Sequence, residues 1–170
     1  MLNKISEERA KLGVGQNALF FEEFEVGDSW LSPRRTIAEA DIVNFAGMTG
    51  DYNPVHTDEE FARKTPFGAR ILHGPAVLAI ATGLEFRLGL KEGTAIAFLG
   101  MTWNLKAPVK IGDTIHVFER IESKRLTSNP ARGIVNFWVE VRNQKGEICQ
   151  EGEWKVMFHS QDGLKAAVEK

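Results

Sequence analysis

Cysteine is nearly absent from the 170-residue chain, and Cys149 is its single example. One cysteine cannot form an intrachain disulfide, and it excludes a zinc site built on several thiolates. A thiolate nucleophile needs an activating group close by, and Cys149 lies in a strand-like run that offers none in sequence. We therefore expect a reduced, buried thiol at this position.

The chain also lacks an excess of charge of one sign. Its 21 Lys and Arg residues are balanced by 23 Asp and Glu residues, which gives a formal net charge of −2. A nucleic-acid-binding domain usually shows a basic face, whereas the densest basic positions here are two pairs, Arg34–Arg35 and Lys124–Arg125. The composition therefore argues against nucleic acid as a partner.

Long hydrophobic runs are missing too. The longest, Pro75 to Leu84, is about half of what a membrane-spanning helix needs. Residues 1–18 are polar and lack the apolar core of a signal peptide. We expect a cytoplasmic protein with no membrane partner.

What the sequence does contain is the pattern of one ordered domain over residues 20–159, with an N-terminal arm over 1–19 and a C-terminal tail over 160–170. Pro75 to Leu90 is apolar around most of its circumference, which predicts a long, largely buried helix. Four β-rich runs follow it: Ala95–Lys106, Thr114–Leu126, Gly133–Asn143 and Glu147–His159. This order indicates an α+β fold, in which a curved antiparallel β-sheet wraps around a long central helix. Because open sheet edges are usually covered or paired, we expect a homodimer joined edge to edge.

Two shorter helices are predicted before the central one. Thr36 with Glu39, and Thr57 with Glu60, have the spacing of a capping box, which marks a helix start. The first helix should end between Gly47 and Gly50, and the second near Lys64. The segment between them is expected to be a loop.

That loop, Gly50-Asp51-Tyr52-Asn53-Pro54-Val55-His56, holds the most unusual pattern in the chain. Asp51 and His56 together offer the groups that hold and activate a water at neutral pH, and Asn53 is placed to orient either side chain. The competing interpretation is an ordinary turn, since Asp, Asn and Pro are common turn residues. A calcium loop is excluded, because the positions that should be Gly and Glu hold His56 and Ala62. We expect no metal here.

A second candidate feature is Leu72-His73-Gly74-Pro75, directly before the central helix. A free N–H at Gly74 would lie at the positive end of the helix dipole, which suits an oxyanion. The alternative is that Gly74 is simply a small helix-capping residue. His73 is interpreted as a packed or exposed histidine rather than a catalytic one.

Taken together, these residues resemble the MaoC-like dehydratases, including the (R)-specific type 2 enoyl-CoA hydratases. The hydratase signature of that family is matched at eight positions, namely Thr49, Gly50, Asp51, Asn53, Pro54, Val55, His56 and Ala62. Ile71-Leu72-His73-Gly74 and the turn from Lys106 to Asp113 are also similar to the family. The resemblance covers roughly residues 20–158.

The resemblance implies a hotdog fold and a reversible hydration of a 2-enoyl thioester, carried by coenzyme A or an acyl carrier protein. It implies Asp51 and His56 as the catalytic pair, the Gly74 N–H as oxyanion donor and Asn53 as a substrate-orienting residue, with no cofactor. Two alternatives stay open: a hotdog thioesterase and a non-catalytic acyl-binding partner subunit. A thioesterase would need a carboxylate near the central helix, and Glu85 lies about three turns from the oxyanion end. Five basic residues near the motifs are candidates for the coenzyme A phosphates: Arg63, Lys64, Arg70, Lys106 and Lys110.

Overall fold

The computed structural model describes residues 7–168, so the first six residues of the predicted arm and the last two of the predicted tail lie outside the described residues. The helices are α1 (Glu7–Lys11), α2 (Glu39–Thr49), α3 (Pro54–Thr57), α4 (Glu59–Ala62), α5 (Gly74–Phe86) and α6 (Gln161–Val168). The strands are β1 (Ser29–Leu31), β2 (Arg35–Thr36), β3 (Ala95–Leu105), β4 (Thr114–Leu126), β5 (Arg132–Arg142) and β6 (Ile148–His159). Within residues 7–168, no helix is both long and apolar enough to cross a bilayer.

The strands form one antiparallel sheet in the order β1-β4-β5-β6-β3, and β2 pairs separately with β4. The four long strands begin and end within one residue of their predicted bounds. Along β5, Val135, Phe137, Val139 and Val141 are all buried, as their alternation predicts. The sheet curves around α5, so the predicted α+β architecture is confirmed.

The central helix α5 ends four residues before the predicted Leu90. Gly89 has a φ of +75°, a left-handed conformation that is incompatible with a continuing helix. Ala76, Val77, Ala81 and Leu84 are buried against the sheet. The opposite face is not covered, and the expectation of burial on most sides is wrong there; its exposed residues are Pro75, Ala79, Thr82, Gly83 and Phe86.

Both predicted capping boxes are displaced. Helix α2 begins after Ala38, whose N–H donates to the carboxylate of Asp41 (2.8 Å), whereas Thr36 belongs to β2. Helix α4 begins after Asp58, whose carboxylate accepts from the N–H of Phe61 (3.0 Å). Thr57 is unavailable as a cap, because its hydroxyl donates to carbonyl groups of the preceding turn. In α2, Asp41 therefore takes the role expected of Glu39, and in α4, Asp58 takes the role expected of Thr57.

Residues 38–71 form an excursion that leaves and re-enters the sheet at one turn, residues 109–113. Ile37 donates its N–H to Asp113 O and accepts from the N–H of Gly112, both at 2.8 Å. At the other end, Leu72 donates to Val109 O (2.8 Å) and Ile71 forms a bridge with Lys110. The excursion carries α2, α3 and α4, and it holds the candidate motif against the start of α5.

A second, smaller apolar cluster joins the two ends of the described chain. Val14, Ala18 and Phe20 pack with Leu164 of α6, and all four are buried.

The single cysteine, Cys149, is buried and free, as predicted. Burial, with Glu147 and Asp113 nearby, raises the pKa of its thiol to about 11.

Candidate active site

The candidate loop is held by two consecutive side-chain turns. Gly50 ends α2 with a φ of +76°, which glycine adopts without strain. The carboxylate of Asp51 then accepts from the N–H of Asn53 (3.2 Å), and the amide oxygen of Asn53 accepts from the N–H of Val55 (3.2 Å). Asn53 is therefore the N-cap of α3, the helix that carries His56. Its predicted contact with substrate stays a prediction.

The orientation of His56 is fixed by one backbone group. Its Nδ1 lies 2.8 Å from the carbonyl oxygen of Ile71. A carbonyl only accepts, so this contact places a proton on Nδ1 and leaves Nε2 as the free atom of the ring. A neutral His56 can thus accept a proton at Nε2 without moving.

His73 lies in the candidate site, although the sequence interpretation did not place it there. It is 1% exposed, its ring stacks on that of His56 with centroids 3.8 Å apart, and the ring of Phe45 lies 5.0 Å away on centroids. Its Nε2 donates to the backbone oxygen of Asp51 (2.9 Å). The sequence interpretation left His73 either packed or exposed; it is packed, and it contacts both predicted catalytic residues. Its position directly before Gly74 was the one hint in the sequence, but that position does not reveal its contacts with Asp51 and His56.

Asp51 completes the group. Its side chain is 52% exposed, and its Oδ2 lies 4.0 Å from Nε2 of His73. One potential ligand atom from each of Asp51, His56 and His73 lies within 4.8 Å of the others, a donor set that transition metals accept. However, both imidazoles already donate to carbonyl groups. Oδ2 of Asp51, Nε2 of His56 and the buried Nδ1 of His73 are left without a hydrogen-bond partner among the described residues, and the first two suit a bound water.

Gly74 is the first residue of α5, directly after His73. Its N–H donates to no other residue within 7–168, and the following Pro75 has no N–H. A Cβ at this position would lie 2.9 Å from Cδ1 of Leu105, so glycine also keeps the approach open. An unpaired N–H at a helix N-terminus attracts a developing negative charge.

Residues 23–142 match the family described as "MaoC like domain". The chain belongs to this family. Among relatives of the MaoC-like domain, it is 40% identical over 100 residues to a 3-hydroxybutyryl-CoA dehydratase of Methylorubrum extorquens, covering 58% of this chain and 61% of that protein. It is 38% identical over 97 residues to an (R)-specific enoyl-CoA hydratase of Rhodospirillum rubrum, covering 56% of this chain and 65% of that protein. The chain thus spans less than two thirds of the length of the curated relatives with which it shares 38–40% identity.

Solved structures support the same assignment. A MaoC-like dehydratase from Rhodospirillum rubrum superposes with a TM-score of 0.77 at 33% identity, covering 84% of this chain and 98% of that chain. The predicted hotdog fold is therefore confirmed, and the MaoC-like family is one of hydratases and dehydratases in general.

The sequence suggested Arg70 as a candidate contact for the coenzyme A phosphates, but in this MaoC-like domain its side chain pairs with two carboxylates. Its guanidinium makes two hydrogen bonds of 2.6 Å to the carboxylate of Glu39 on α2, and one of 3.0 Å to Glu59 on α4. The bonds to Arg70 lower the pKa of Glu39, and both glutamates raise that of Arg70. Arg70 thus clamps the excursion beside Ile71, the residue that orients His56. Arg63 and Lys106 are also engaged, with Glu60 (3.0 Å) and Glu151 (3.1 Å).

Three cavities border α5. One of about 500 Å³ lies between α2 and α5 and is lined by Phe45, Met48 and Ala76, among others. The Gly74 cavity, about 230 Å³, is lined by Gly74, residues 105–109 and Gln150. A third cavity, about 410 Å³, lies at the other end of α5; we call it the triad cavity because Glu85 and Lys91, which line it, form a buried ion triad with Glu119. The last two lie between the helix and strands β3 and β6.

Proposed function

We propose that this chain is an (R)-specific 2-enoyl-thioester hydratase that also runs in reverse as a 3-hydroxyacyl-thioester dehydratase. The thioester is carried by coenzyme A or an acyl carrier protein. The observation that carries the proposal is that ligand atoms of Asp51, His56 and His73 lie within 4.8 Å of one another, directly before Gly74, whose N–H is unpaired among the described residues.

Each step of the addition has a group in this site. Asp51 and His56 hold one water, and one of them takes its proton as the oxygen bonds to C3. The electron pair of the double bond moves onto the thioester oxygen, where the Gly74 N–H stabilises the charge. A proton from the catalytic pair then reaches C2, so that one water has been added and the site returns to its starting protonation.

The structure disfavours the thioesterase alternative. Glu85 is the acid that the alternative needs on α5, yet it is buried near the C-terminal end of the helix and paired with Lys91. It therefore has no path to a thioester carbonyl at Gly74. The intact catalytic group likewise argues against a non-catalytic subunit.

Loss of the conjugated-enoyl absorbance of crotonyl-CoA, followed beside a thiol-trapping reagent, tests the reaction. Hydration predicts that absorbance falls while free thiol stays constant, and chiral analysis of the product should give the (R) isomer. Thiol release at the same rate as the loss of absorbance would establish the thioesterase instead. No reaction in either channel would leave the binding-subunit alternative.

Substitution of the catalytic pair tests the residue assignment. Asp51→Asn and His56→Ala should each lower kcat by on the order of 10²–10⁴-fold, and the double variant should be little worse than either. Asp58→Asn is the matched control, because asparagine caps a helix as well as aspartate and Asp58 lies outside the site. Near-normal turnover of Asp51→Asn would refute the catalytic role of Asp51 and would show that the motif is only a structural turn.

A homodimer is part of the proposal. Strand β3 is at the sheet edge, and along it Phe98, Leu99, Met101 and Leu105 are exposed, beside Phe86 of α5. Long apolar edges are paired in stable proteins, and a second copy aligned along β3 would pair this edge and cover the exposed face of α5. Light scattering should give twice the 19.0 kDa chain mass; a monomer at micromolar concentration would refute the homodimer.

We also propose, from the sequence alone, a cytoplasmic location, which cell fractionation would test.

A further inference from the structure

Three ionisable side chains are buried together near the C-terminal end of α5, and we call them the ion triad: Glu85, Lys91 and Glu119. They are 6%, 9% and 0% exposed. The ammonium of Lys91 lies 3.0 Å from Oε2 of Glu119, forms a short ion pair with Glu85, and lies 4.1 Å from the ring centroid of Phe137. The triad takes no part in the reaction proposed above.

Stability does not require such a group. Replacing a buried ion pair by apolar residues of similar volume is often neutral or stabilising, because desolvation offsets the attraction. Burial raises the pKa of Glu119 to about 7, while the two carboxylates outweigh burial and raise that of Lys91. Buried, perturbed groups at a cavity wall favour a binding role.

The triad borders an otherwise largely apolar cavity. Glu85 and Lys91 line the triad cavity, whose other walls are Thr82 and Phe86 of α5, residues 95–98 of β3, and two residues of β6. One of these is Trp154, which is 2% exposed and whose Nε1–H has no acceptor among the described residues. The residues that line the cavity thus include a carboxylate, an ammonium and an indole N–H.

The triad cavity lies on the same side of α5 as the Gly74 cavity. Thr82 is eight residues after Gly74, which places it roughly 12 Å further along the helix. A continuous series of contacts joins the two: Gln150 donates to Gly74 O (2.9 Å), Trp103 donates to Gln150 (2.8 Å), and the rings of Trp103 and Trp154 are 5.6 Å apart. The same helix and the same two strands, β3 and β6, line both cavities.

We propose that the triad cavity receives the far end of the acyl group, and that Glu85, Lys91 and Trp154 select acyl chains ending in an uncharged hydrogen-bonding group, such as a hydroxyl, over chains ending in a methyl. This inference rests on the proposed hydratase function. A terminal carboxylate would add negative charge to a buried site that already holds two carboxylates. A terminal ammonium would be repelled by the like charge of the Lys91 ammonium. A hydroxyl both donates and accepts, so it pairs with these groups without adding charge.

The test uses the wild-type protein and pairs of substrates of equal length. The 2-octenoyl, 2-decenoyl and 2-dodecenoyl thioesters of coenzyme A are each compared with their ω-hydroxy and ω-carboxy forms. At the best length, kcat/KM should be on the order of ten-fold higher for the hydroxyl end than for the methyl end, because a site built for a hydroxyl discriminates strongly against its absence. A preference for methyl or carboxylate ends at every length would overturn the proposal. Crotonyl-CoA distinguishes failure of this inference from failure of the proposed hydratase function. A protein that does not hydrate crotonyl-CoA lacks the proposed function, whereas one that hydrates it without favouring the hydroxyl end contradicts this inference alone.

Two variants locate the effect. Ala97→Leu fills the triad cavity from β3 and should lower kcat/KM for the longest chains relative to crotonyl-CoA, whatever their ends. Replacing the whole triad, as Glu85→Leu, Lys91→Met and Glu119→Leu, should reverse the hydroxyl-over-methyl ratio. Glu153→Gln, on the exposed face of β6, should keep the wild-type ratio. An unchanged length profile in Ala97→Leu would show that the tail binds elsewhere, even if the triple variant does not fold.

Discussion

Removal of Arg70 should reduce catalysis through the position of His56. The side chain is 18% exposed and spans two carboxylates, whereas Glu39 and Glu59 are 54% and 41% exposed. Charge-assisted bonds in such half-exposed pairs are discounted by solvent, so Arg70→Met should cost about 1–2 kcal/mol in the free energy of unfolding. The effect on rate should be larger, because Ile71 follows directly and its carbonyl holds Nδ1 of His56. Displacement of a catalytic group by about 1 Å costs up to roughly 100-fold, so we expect kcat to fall about 10- to 100-fold with little change in KM.

Arg63 provides a matched control for this prediction. It contacts the same Glu59 (3.3 Å) and also Glu60, but it is 61% exposed and touches nothing next to the catalytic loop. Arg63→Met should therefore cost less than about 0.5 kcal/mol and leave kcat within about two-fold. Arg70→Lys should be intermediate, since lysine cannot form the paired bonds. Urea unfolding and the enoyl absorbance assay measure both effects. Full kcat in Arg70→Met, or equal losses at Arg63 and Arg70, would refute the reasoning.

Three further predictions concern buried groups. His73→Phe keeps a ring against His56 but removes the donor to Asp51 O, so it should cost about 1 kcal/mol in urea unfolding and lower kcat more than it raises KM. Cys149, whose pKa is raised to about 11, should resist a chromogenic thiol reagent at pH 8 in the native protein and react fully once unfolded in urea; rapid native labelling would contradict this. Glu119, surrounded by the rest of the ion triad, has a pKa raised from 4.5 to about 7. Its contribution to stability is complete below pH 4.5 and lost as the pH rises through 7, so Glu119→Gln should flatten the pH dependence of unfolding between pH 5 and 8; an unchanged slope would argue against it.

The sequence predicted those parts of the site that depend on local chemistry. Asp51 and His56 lie five residues apart, so their spacing suggests a candidate pair beside the competing interpretation of a turn, and their catalytic role stays a prediction. His73 acts through tertiary contacts with residues 17 and 22 positions earlier, and no local pattern reports these. The buried position of Glu119 could have been inferred, because Ile115, Val117 and Ile121 share its phase in β4 and are all buried. The partners of Glu119 could not, since Glu85 and Lys91 reach it only through the packing of α5 on the sheet.

The attachment of residues 38–71 to a single turn has a consequence for how the protein opens. Since both ends of this excursion meet residues 109–113, it can detach as one cooperative unit while the ladders joining β3, β4, β5 and β6 stay intact. Amide hydrogens of α2 should then exchange with solvent through a sub-global opening of lower free energy than that of β5. A thioester bound between Gly74 and the catalytic loop would hold the unit closed, so ligand binding should slow exchange across the whole excursion, including parts that the ligand never touches.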